Sequence, residues 1–295
     1  MSEPTPWTIG KLLTWTAEFL ASRGSDSARL DAEVLLAHAR GCKRIDLYTV
    51  FDEPAPDGVR DAFKKLVKRR GDGEPVAYLV GKKEFYSLEF EVTGDTLIPR
   101  PETELIVVRL TDLAKEAGGG EAIKVCDVGT GSGVLAVCAA KYLENANVLA
   151  TDASPAALEV AKRNADRHGV GGRTFFVEAD LFPAHKPDMR LDYIVSNPPY
   201  ITTDELTRLS AGVADYEPRL ALDGGPEGTT VIERLLPAAA RQLKPGGVLL
   251  IEISPMIAER VEGLVNETPG LVLKPTINDL SGHPRVIEAM KEEGV

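Results

Sequence analysis

The chain has 295 residues, 43% hydrophobic and 27% charged, enough for a sizeable core in one large or two smaller domains. Its net charge of −11 gives little attraction for a phosphate backbone, so direct binding of nucleic acid is not expected. Three scattered cysteines and four separated histidines indicate neither a disulfide framework nor a metal site. With no signal peptide and no membrane-spanning apolar stretch, we expect a cytoplasmic protein without membrane contact.

The first 80 residues are predicted to form a small helical bundle. Apolar side chains recur at helical spacing in residues 7–20, 30–39 and 61–70. In the second segment, Leu30, Val34 and Leu35 are expected to share one buried stripe. A basic run at residues 64–70 suits a solvated helix face near a helix C-terminus, and a binding patch for a partner is the alternative. Because the bundle carries no chemical motif, we expect residues 1–80 to be a domain that recognises a partner protein.

The character of the sequence changes after residue 80. Residues 84–92 alternate apolar and polar side chains, which predicts a strand or hairpin and makes residues 81–98 a β-hairpin linker. Residues 97–104 read Leu-Ile-Pro-Arg-Pro-Glu-Thr-Glu and are expected to open a helix. A proline followed by acidic residues is typical of a first helical turn.

Strands and helices alternate from residue 122 onward, which predicts a doubly wound, mostly parallel sheet of seven strands in a domain of residues 99–295. Strands are expected at residues 123–128, 148–151, 174–178, 193–196, 248–253, 271–275 and 286–289. Helices are expected at residues 134–142, 155–168, 229–243 and 255–266. Such sheets bind ligands beyond the carboxyl ends of their strands.

A glycine-rich loop, Gly129-Thr130-Gly131-Ser132-Gly133, joins the first of these strands to the first helix. Glycine allows a tight turn and a close approach of the backbone to a ligand. Alone, this signal fits a dinucleotide, a nucleotide or no ligand. The spacing G-x-G-x-G differs from the G-x-G-x-x-G of nicotinamide sites.

Two acidic residues follow the next two strands. Asp152 can accept hydrogen bonds from both hydroxyls of a ribose, although it could instead cap the helix that starts at Pro155. Asp180 can hold an adenine amino group while Leu181 or Phe182 packs on the ring, and its alternative is a loop cap. In this order, the three strand-end features resemble those of class I S-adenosylmethionine methyltransferases.

The fourth strand ends in Asn197-Pro198-Pro199-Tyr200, where the ligand cleft is expected. An amide nitrogen is a poor nucleophile because its lone pair is delocalised. The side-chain oxygen of Asn197 and the carbonyl of Pro198 could accept its two N–H hydrogens, with the prolines fixing these acceptors in place. Tyr200 would supply an apolar wall. The motif also suits adenine-N6 methylation, and a rigid turn is the non-catalytic interpretation.

Further motifs in matching order cover nearly the whole chain. They lie at residues 29–36 (R-L-D-A-E-V-L-L), 73–81 (G-E-P-V-A-Y-L-V-G), 97–104, 217–225 (E-P-R-L-A-L-D-G-G) and 279–282 (D-L-S-G). With them the chain resembles the PrmC/HemK family, the N5-glutamine methyltransferases of peptide chain release factors. The resemblance implies a class I S-adenosylmethionine methyltransferase fold and a glutamine substrate in a Gly-Gly-Gln loop.

The resemblance also implies roles for particular residues. Residues 129–133, Asp152, Leu181 and Asn197 would contact S-adenosylmethionine, and residues 197–200 would hold the glutamine. Arg100 and Glu102 would help to shape the pocket, although an exposed ion pair at a helix start is the alternative. The chain departs from the family pattern at Leu181, where an aromatic side chain is usual, and at Ser254-Pro255-Met256.

Three other functions remain open from sequence alone. An adenine-N6 methyltransferase would share residues 197–200, but the net charge of −11 argues against the basic region that such enzymes usually need. A non-catalytic cofactor-binding scaffold would not need both the loop of residues 129–133 and the motif of residues 197–200 to be intact. The sequence hardly distinguishes a glutamine methyltransferase that acts on a ribosomal protein from one that acts on a release factor, although residues 98–104 favour the release factor.

Overall fold

The computed structural model describes residues 6–118, 121–184, 188–209 and 211–293. The chain divides into two compact units, Met1–Gly81 with Ala211–Tyr216, and Lys82–Ser210 with Glu217–Val295. The sequence did not predict that residues 211–216 would group with the first unit. The predicted domain limits at residues 80 and 98 stay a prediction.

The helices and strands of the described residues alternate along most of the second unit. The helices are α1 Ile9–Ser22, α2 Ala28–Arg40, α3 Asp46–Thr49, α4 Asp57–Gly71, α5 Val76–Val80, α6 Glu104–Glu116, α7 Val134–Tyr142, α8 Pro155–Arg167, α9 Thr203–Leu206, α10 Ala211–Ala214, α11 Thr230–Gln242 and α12 Ala258–Glu267. The strands are β1 Lys82–Phe85, β2 Leu88–Glu91, β3 Ile123–Val128, β4 Ala146–Asp152, β5 Thr174–Glu178, β6 Leu191–Ser196, β7 Leu243–Glu252, β8 Leu271–Leu273, β9 Ile277–Asn278 and β10 Pro284–Lys291.

The first unit has its own core, built by α1, α2 and α4 around Leu13, Leu35 and Phe63. The three predicted helical segments are confirmed, but the predicted stripe of α2 is wrong at Leu30, which is 44% exposed. The buried face of α2 instead includes Asp31 and Glu33.

Both buried carboxylates of α2 have cationic partners, which offset the cost of removing a charge from water. Asp31 accepts from Arg70 at 2.8 Å and from two serine hydroxyls. Glu33 binds Arg29 and Arg44, at 2.8 and 2.7 Å. Apolar periodicity could not reveal the pairs with Arg70 and Arg44, because these two partners lie on other segments of the chain.

The second unit is organised around a twisted sheet with the order β5-β4-β3-β6-β7-β10-β8, to which β9 adds at β10. The five neighbouring strands β5, β4, β3, β6 and β7 run parallel, and β10 runs antiparallel to both β7 and β8. The predicted class I methyltransferase fold, with seven mostly parallel strands, is confirmed. The two-residue strand β9 was not predicted.

Successive residues of each central strand face opposite sides of the sheet. Val125 and Tyr193 pack on the side of α6 and α7, whereas Cys126 and Ile194 pack on the side of α11 and α12. The parallel register brings Val128, Ser196 and Ile251 side by side at the carboxyl ends of β3, β6 and β7. The loops that carry the predicted motifs therefore leave the sheet at one edge.

Strands β1 and β2 form a hairpin over residues 82–91, in the region where the alternation of residues 84–92 predicted a strand or hairpin. Its turn consists of Tyr86 and Ser87, which have φ angles of 48° and 61°. Both lie in the left-handed region that tight hairpin turns require and that glycine or asparagine usually supplies. None of the described helices is both long and apolar enough to cross a membrane.

Candidate active site

The loop between β3 and α7 borders a cavity of about 380 Å³ at the carboxyl edge of the sheet. Gly129, Gly131 and Gly133 have φ angles of 72°, 55° and 84°, which explains the need for glycine. A Cβ atom at Gly133 would lie 3.0 Å from that of Ala161, whereas one at Gly129 or Gly131 would meet no atom within 4 Å. The loop thus packs against α8 at one end and faces open space along the rest. Thr130 and Ser132, also in the predicted set, line the same cavity.

Asp127 lies buried beneath this loop and was missed by the sequence analysis. Its Oδ2 accepts from the Thr130 hydroxyl at 2.6 Å and from the Ala136 amide at 2.9 Å. Its Oδ1 and the Ser132 hydroxyl have no hydrogen-bond partner among the described residues. Burial raises the pKa of Asp127 to about 7. An acidic residue inside an apolar strand, directly before a glycine loop, was the available signal.

Asp152 ends β4 and lines the same cavity. Its Oδ2 accepts from the Gly131 amide at 2.9 Å, and its Oδ1 accepts from the Ser154 amide at 2.8 Å. The helix cap of α8 is Ser154, whose hydroxyl accepts from the Ala157 amide. Asp152 therefore ties the glycine loop to the end of β4, and each carboxylate oxygen retains room for a further donor.

Asp180 and Leu181 follow β5 and also line the cavity. The Asp180 carboxylate forms an ion pair with Arg234 and its side chain is 67% exposed. Leu181 adopts a φ of 70°, and its carbonyl accepts from the Thr151 hydroxyl at 2.7 Å. Its backbone is thus held while its side chain packs against the core beneath α11. The adenine contact assigned to Asp180 stays a prediction.

Asn197, Pro198 and Pro199 follow β6, the strand next to β3, and line the same cavity as the glycine loop. The Asn197 Nδ2 donates to the Thr103 hydroxyl at 3.2 Å. Its half-buried side chain is thereby tied to Thr103, which lines the same cavity. Tyr200 lies outside the cavity lining and donates its hydroxyl to Glu252 Oε1 at 3.1 Å. Burial raises the pKa of Tyr200 far above its usual value, so its hydroxyl remains a donor.

The loop of residues 219–228 contacts the backbone of residues 199–201 through hydrogen bonds and close packing. The Gly224 amide donates to the Ile201 carbonyl at 2.8 Å, and the Ile201 amide donates to the Leu222 carbonyl at 3.1 Å. A Cβ atom at Gly224 would lie 2.8 Å from the Pro199 carbonyl oxygen and from the Tyr200 Cα. Only glycine permits this backbone approach.

Arg100 lines the cavity and forms an ion pair with Glu217 at 2.6 Å. The buried Glu217 also accepts from the Ile98 amide at 3.2 Å. Glu102 lies outside the lining, with Arg285 at 3.9 Å. Arg100 thus pairs with Glu217, which lies 117 positions further along the chain. It does not form the exposed ion pair at its own helix start that was the alternative expectation. Glu217 opens the motif of residues 217–225, but nothing in its local sequence predicted its pairing with Arg100.

The polar lining of the cavity is mixed. It contains carboxylates, the Asn197 amide and several hydroxyls, with Arg100 and Arg234 as cations. No cluster of side chains suited to a metal ion occurs in the part of the chain that the structure describes.

Comparisons with known proteins agree with this architecture. The family model of the PrmC N-terminal domain matches residues 11–81, and that of the methyltransferase small domain matches residues 103–212. The release factor glutamine methyltransferase of Rhodopirellula baltica is 46% identical over 98% of both chains. That of Geobacter sulfurreducens is 43% identical over 97% of both.

Among solved structures, the hMettl16 catalytic domain shares the fold of the chain. It aligns with a TM-score of 0.54 at 13% identity, over 78% of this chain and 82% of that one. The identity to the curated relatives extends over nearly the full length of each chain, including both family domains. The chain therefore belongs to the release factor glutamine methyltransferase family.

Proposed function

We propose that this protein transfers a methyl group from S-adenosylmethionine to the side-chain amide nitrogen (N5) of a glutamine in a peptide chain release factor. That glutamine lies in the Gly-Gly-Gln loop of the factor, so methylation modulates translation termination. The observation that carries the proposal is the Asn197 amide, whose Nδ2 is held by Thr103 beside the cavity of the glycine loop. The named relatives support the choice of substrate.

The residues of the cavity fit S-adenosylmethionine. The free Oδ1 of Asp127 suits an ammonium group, because a buried carboxylate oxygen without a donor gains most from a cation. Gly129 and Gly131 leave room along the loop, Asp152 can receive ribose hydroxyls, and Leu181 offers an apolar surface to adenine. The cofactor, when bound, supplies an electrophilic methyl group on a sulfonium centre.

The remaining chemistry falls to the residues that hold the substrate amide. The Asn197 Oδ1 and the Pro198 carbonyl accept the two N–H hydrogens of the glutamine, which disfavours the planar amide and exposes the nitrogen lone pair. Both acceptors are positioned before the substrate arrives, so little reorganisation is needed during the reaction. Arg100 and Glu217 hold the segment before α6 against this site.

Mass spectrometry of purified release factor, incubated with the enzyme and isotope-labelled cofactor, tests the proposal. The label is expected on the glutamine of the Gly-Gly-Gln loop and is lost when that glutamine is replaced by alanine. A ribosomal protein and an adenine-containing oligonucleotide are incubated in parallel. Labelling of either one, without labelling of the release factor, would contradict the proposed substrate.

Asp152→Ala is expected to weaken S-adenosylmethionine binding about tenfold or more, since losing a partly buried acceptor of two hydroxyls costs roughly 1.5–3 kcal/mol. Titration calorimetry measures the change. Asp180→Ala serves as the matched control and is expected to have the smaller effect, because its carboxylate is exposed and paired with Arg234. Unchanged affinity in a folded Asp152→Ala protein would remove the ribose role.

The first unit is proposed to recognise the substrate protein through α4. Arg69 and Arg70 of the basic run pair with Glu74 and Asp31, so they are already neutralised. The exposed Lys64, Lys65 and Lys68 form no ion pair among the described residues, which leaves three cations free on one helix face. Their chemistry suits an acidic surface of the partner.

Replacing these three lysines by glutamate should raise KM for the release factor several-fold with little change in kcat, because remote contacts contribute to binding more than to chemistry. Added salt should raise KM of the unchanged protein and have less effect on the variant. Steady-state kinetics at two ionic strengths measures both. Lys162→Glu, on an exposed face of α8, is the control. Equal KM values for variant and parent would contradict this role for α4.

A further inference from the structure

Asn164 lies on α8 and is completely buried, with 0% of its surface exposed. It does not line the cavity, and none of the roles in binding the cofactor or the glutamine falls to it. Burying a side-chain amide costs free energy unless its donors and its acceptor find partners. The partners of Asn164 therefore indicate what this residue does.

Three hydrogen bonds join the Asn164 amide to two separate segments of backbone. Its Oδ1 accepts from the Glu91 amide at 2.8 Å, and its Nδ2 donates to the Glu91 carbonyl at 3.0 Å. The same Nδ2 also donates to the Ser132 carbonyl at 2.8 Å. Both hydrogens of Nδ2 are thus used. The orientation of the amide is fixed, because a reversed amide would place its oxygen against two carbonyl oxygens.

Ser132, at one end of this bridge, belongs to the glycine loop. Asn164 holds the carbonyl of the peptide that joins Ser132 to Gly133, and the N–H of the same peptide donates to the Thr130 carbonyl at 2.8 Å. Both polar groups of this peptide are therefore held where the loop enters α7. Ser132 lines the cavity, and its buried hydroxyl has no partner among the described residues, so the backbone sets its position.

Glu91, at the other end of the bridge, is the last residue of β2 and lies three positions before another part of the cavity lining, residues 94–97. The turn that connects them is held internally. The Thr96 amide donates to the Thr93 carbonyl at 3.0 Å, and the Asp95 amide donates to the Thr93 hydroxyl at 3.2 Å. A displacement of Glu91 would therefore be carried into the lining of the cavity.

We propose that Asn164 is a positioning residue that holds two parts of the S-adenosylmethionine cavity, the glycine loop at Ser132 and residues 94–97, at a fixed separation. One amide group meets both backbones, so its size limits how far apart they can lie. A cavity that is ordered in advance spares the cofactor the free energy of ordering it on binding. This inference rests on the proposed function in its choice of S-adenosylmethionine as the ligand.

Other contacts attach α8 to the hairpin without reaching the glycine loop. Arg163 pairs with the Glu91 carboxylate at 2.7 Å, and its side chain is 50% exposed. His168 Nε2 lies 2.9 Å from the Glu89 carbonyl oxygen. An exposed ion pair contributes little to stability. Arg163 therefore offers a control that loosens the attachment of the helix and leaves the bridge through Asn164 intact.

Titration calorimetry with S-adenosylmethionine, on variants of the full chain, tests the proposal at a temperature where each variant is folded. Asn164→Ala should weaken binding about tenfold, the effect of losing roughly one well-made hydrogen bond to the ligand. Asn164→Asp has the same shape and keeps an acceptor for the Glu91 amide, but it lacks the N–H donors. It should therefore bind no better than Asn164→Ala.

Two controls are expected to bind the cofactor like the parent. Arg163→Ala removes only the exposed pair with Glu91. Val265→Ala, at a buried position of α12 on the other side of the sheet, lowers stability without altering the lining of the cavity. If Val265→Ala loses as much affinity as Asn164→Ala, the loss follows general stability and the proposal is overturned.

Hydrogen exchange, followed by mass spectrometry of peptides, gives a readout that does not depend on activity. In Asn164→Ala, peptides that cover residues 88–97 and 129–135 should exchange faster, because the Glu91 amide loses its acceptor and the Ser132 carbonyl loses its donor. A peptide that covers α12 should be unchanged. Parent-like exchange in both of the first two peptides would show that Asn164 does not hold them.

The outcomes distinguish this proposal from the proposed function. If the parent binds S-adenosylmethionine but labels no glutamine, the proposed function fails and the role of Asn164 is still decided by the binding data. If Asn164→Asp binds the cofactor as tightly as the parent, the shape of the side chain is sufficient and the proposal is overturned. Should Asn164→Ala not fold, Asn164→Asp carries the comparison with Val265→Ala.

Discussion

Asn197→Ala should slow methyl transfer by about 10²–10³-fold while affinity for S-adenosylmethionine stays close to that of the unchanged protein. Loss of one preorganised group that acts on the reacting atoms commonly costs about this much in rate. The Asn197 side chain is held by Thr103 at 3.2 Å, and alanine leaves the glutamine nitrogen without that acceptor. The loop of residues 129–133 and Asp152 remain in place, so the cofactor cavity persists.

Single-turnover methylation with labelled cofactor measures the rate, and calorimetry measures cofactor binding. Asn266→Ala, at an exposed position of α12, makes the same chemical change far from the cavity and should leave the rate intact. A folded Asn197→Ala enzyme that retains most of the single-turnover rate would remove this residue from the mechanism. A parallel loss of cofactor affinity would assign it mainly to cofactor binding.

Gly224→Ala is the second change with a large expected effect. The added Cβ would lie 2.8 Å from the Pro199 carbonyl oxygen and the Tyr200 Cα, and 2.9 Å from the Gly228 Cα. These are backbone atoms, so no flexible side chain can move away, and the substrate-holding residues must shift. A displacement of about 1 Å at a reacting centre can cost about a hundredfold in rate. The same overpacking should cost roughly 1–3 kcal/mol of stability.

Gly263→Ala is the matched control, because a Cβ atom there would meet nothing within 4 Å. Thermal denaturation and single-turnover kinetics, measured on both variants, separate the loss of stability from the loss of rate. We expect Gly224→Ala to remain folded at 25 °C yet to transfer methyl groups slowly. A Gly224→Ala enzyme as fast as the control would show that the loop does not position residues 197–200.

Local patterns predicted much of the fold. The strand before Gly129 and the helix after Gly133 were predicted at residues 123–128 and 134–142, the limits that β3 and α7 have. Both elements are mostly apolar, and glycine marks the end of β3 at Gly129 and the start of α7 after Gly133, signals that depend on neighbours in sequence alone. The predicted limits of β7 were too short by five residues at its start, because Lys244 and Pro245 interrupt the apolar pattern.

The parts of the site that sequence did not reveal depend on partners far along the chain. Asp127 has a signal in its local sequence. Thr103 and Glu252 can be linked to the site only through their hydrogen bonds with Asn197 and Tyr200, which the sequence does not show. Glu217 meets Arg100 across 117 positions. The exposure of Leu30 has the same origin, since Arg44 and Arg70, which lie outside α2, help this helix to bury two carboxylates.

The alignment of Val128, Ser196 and Ile251 across three neighbouring strands makes formation of the site a late event in folding. The residues that follow them, Gly129, Asn197 and Glu252, are brought together only when all three strands have paired. Pairing of parallel strands across such sequence separations is slow compared with local helix formation. Chains still lacking β7 therefore have no complete site, and the appearance of methylating activity during refolding should coincide with completion of the sheet.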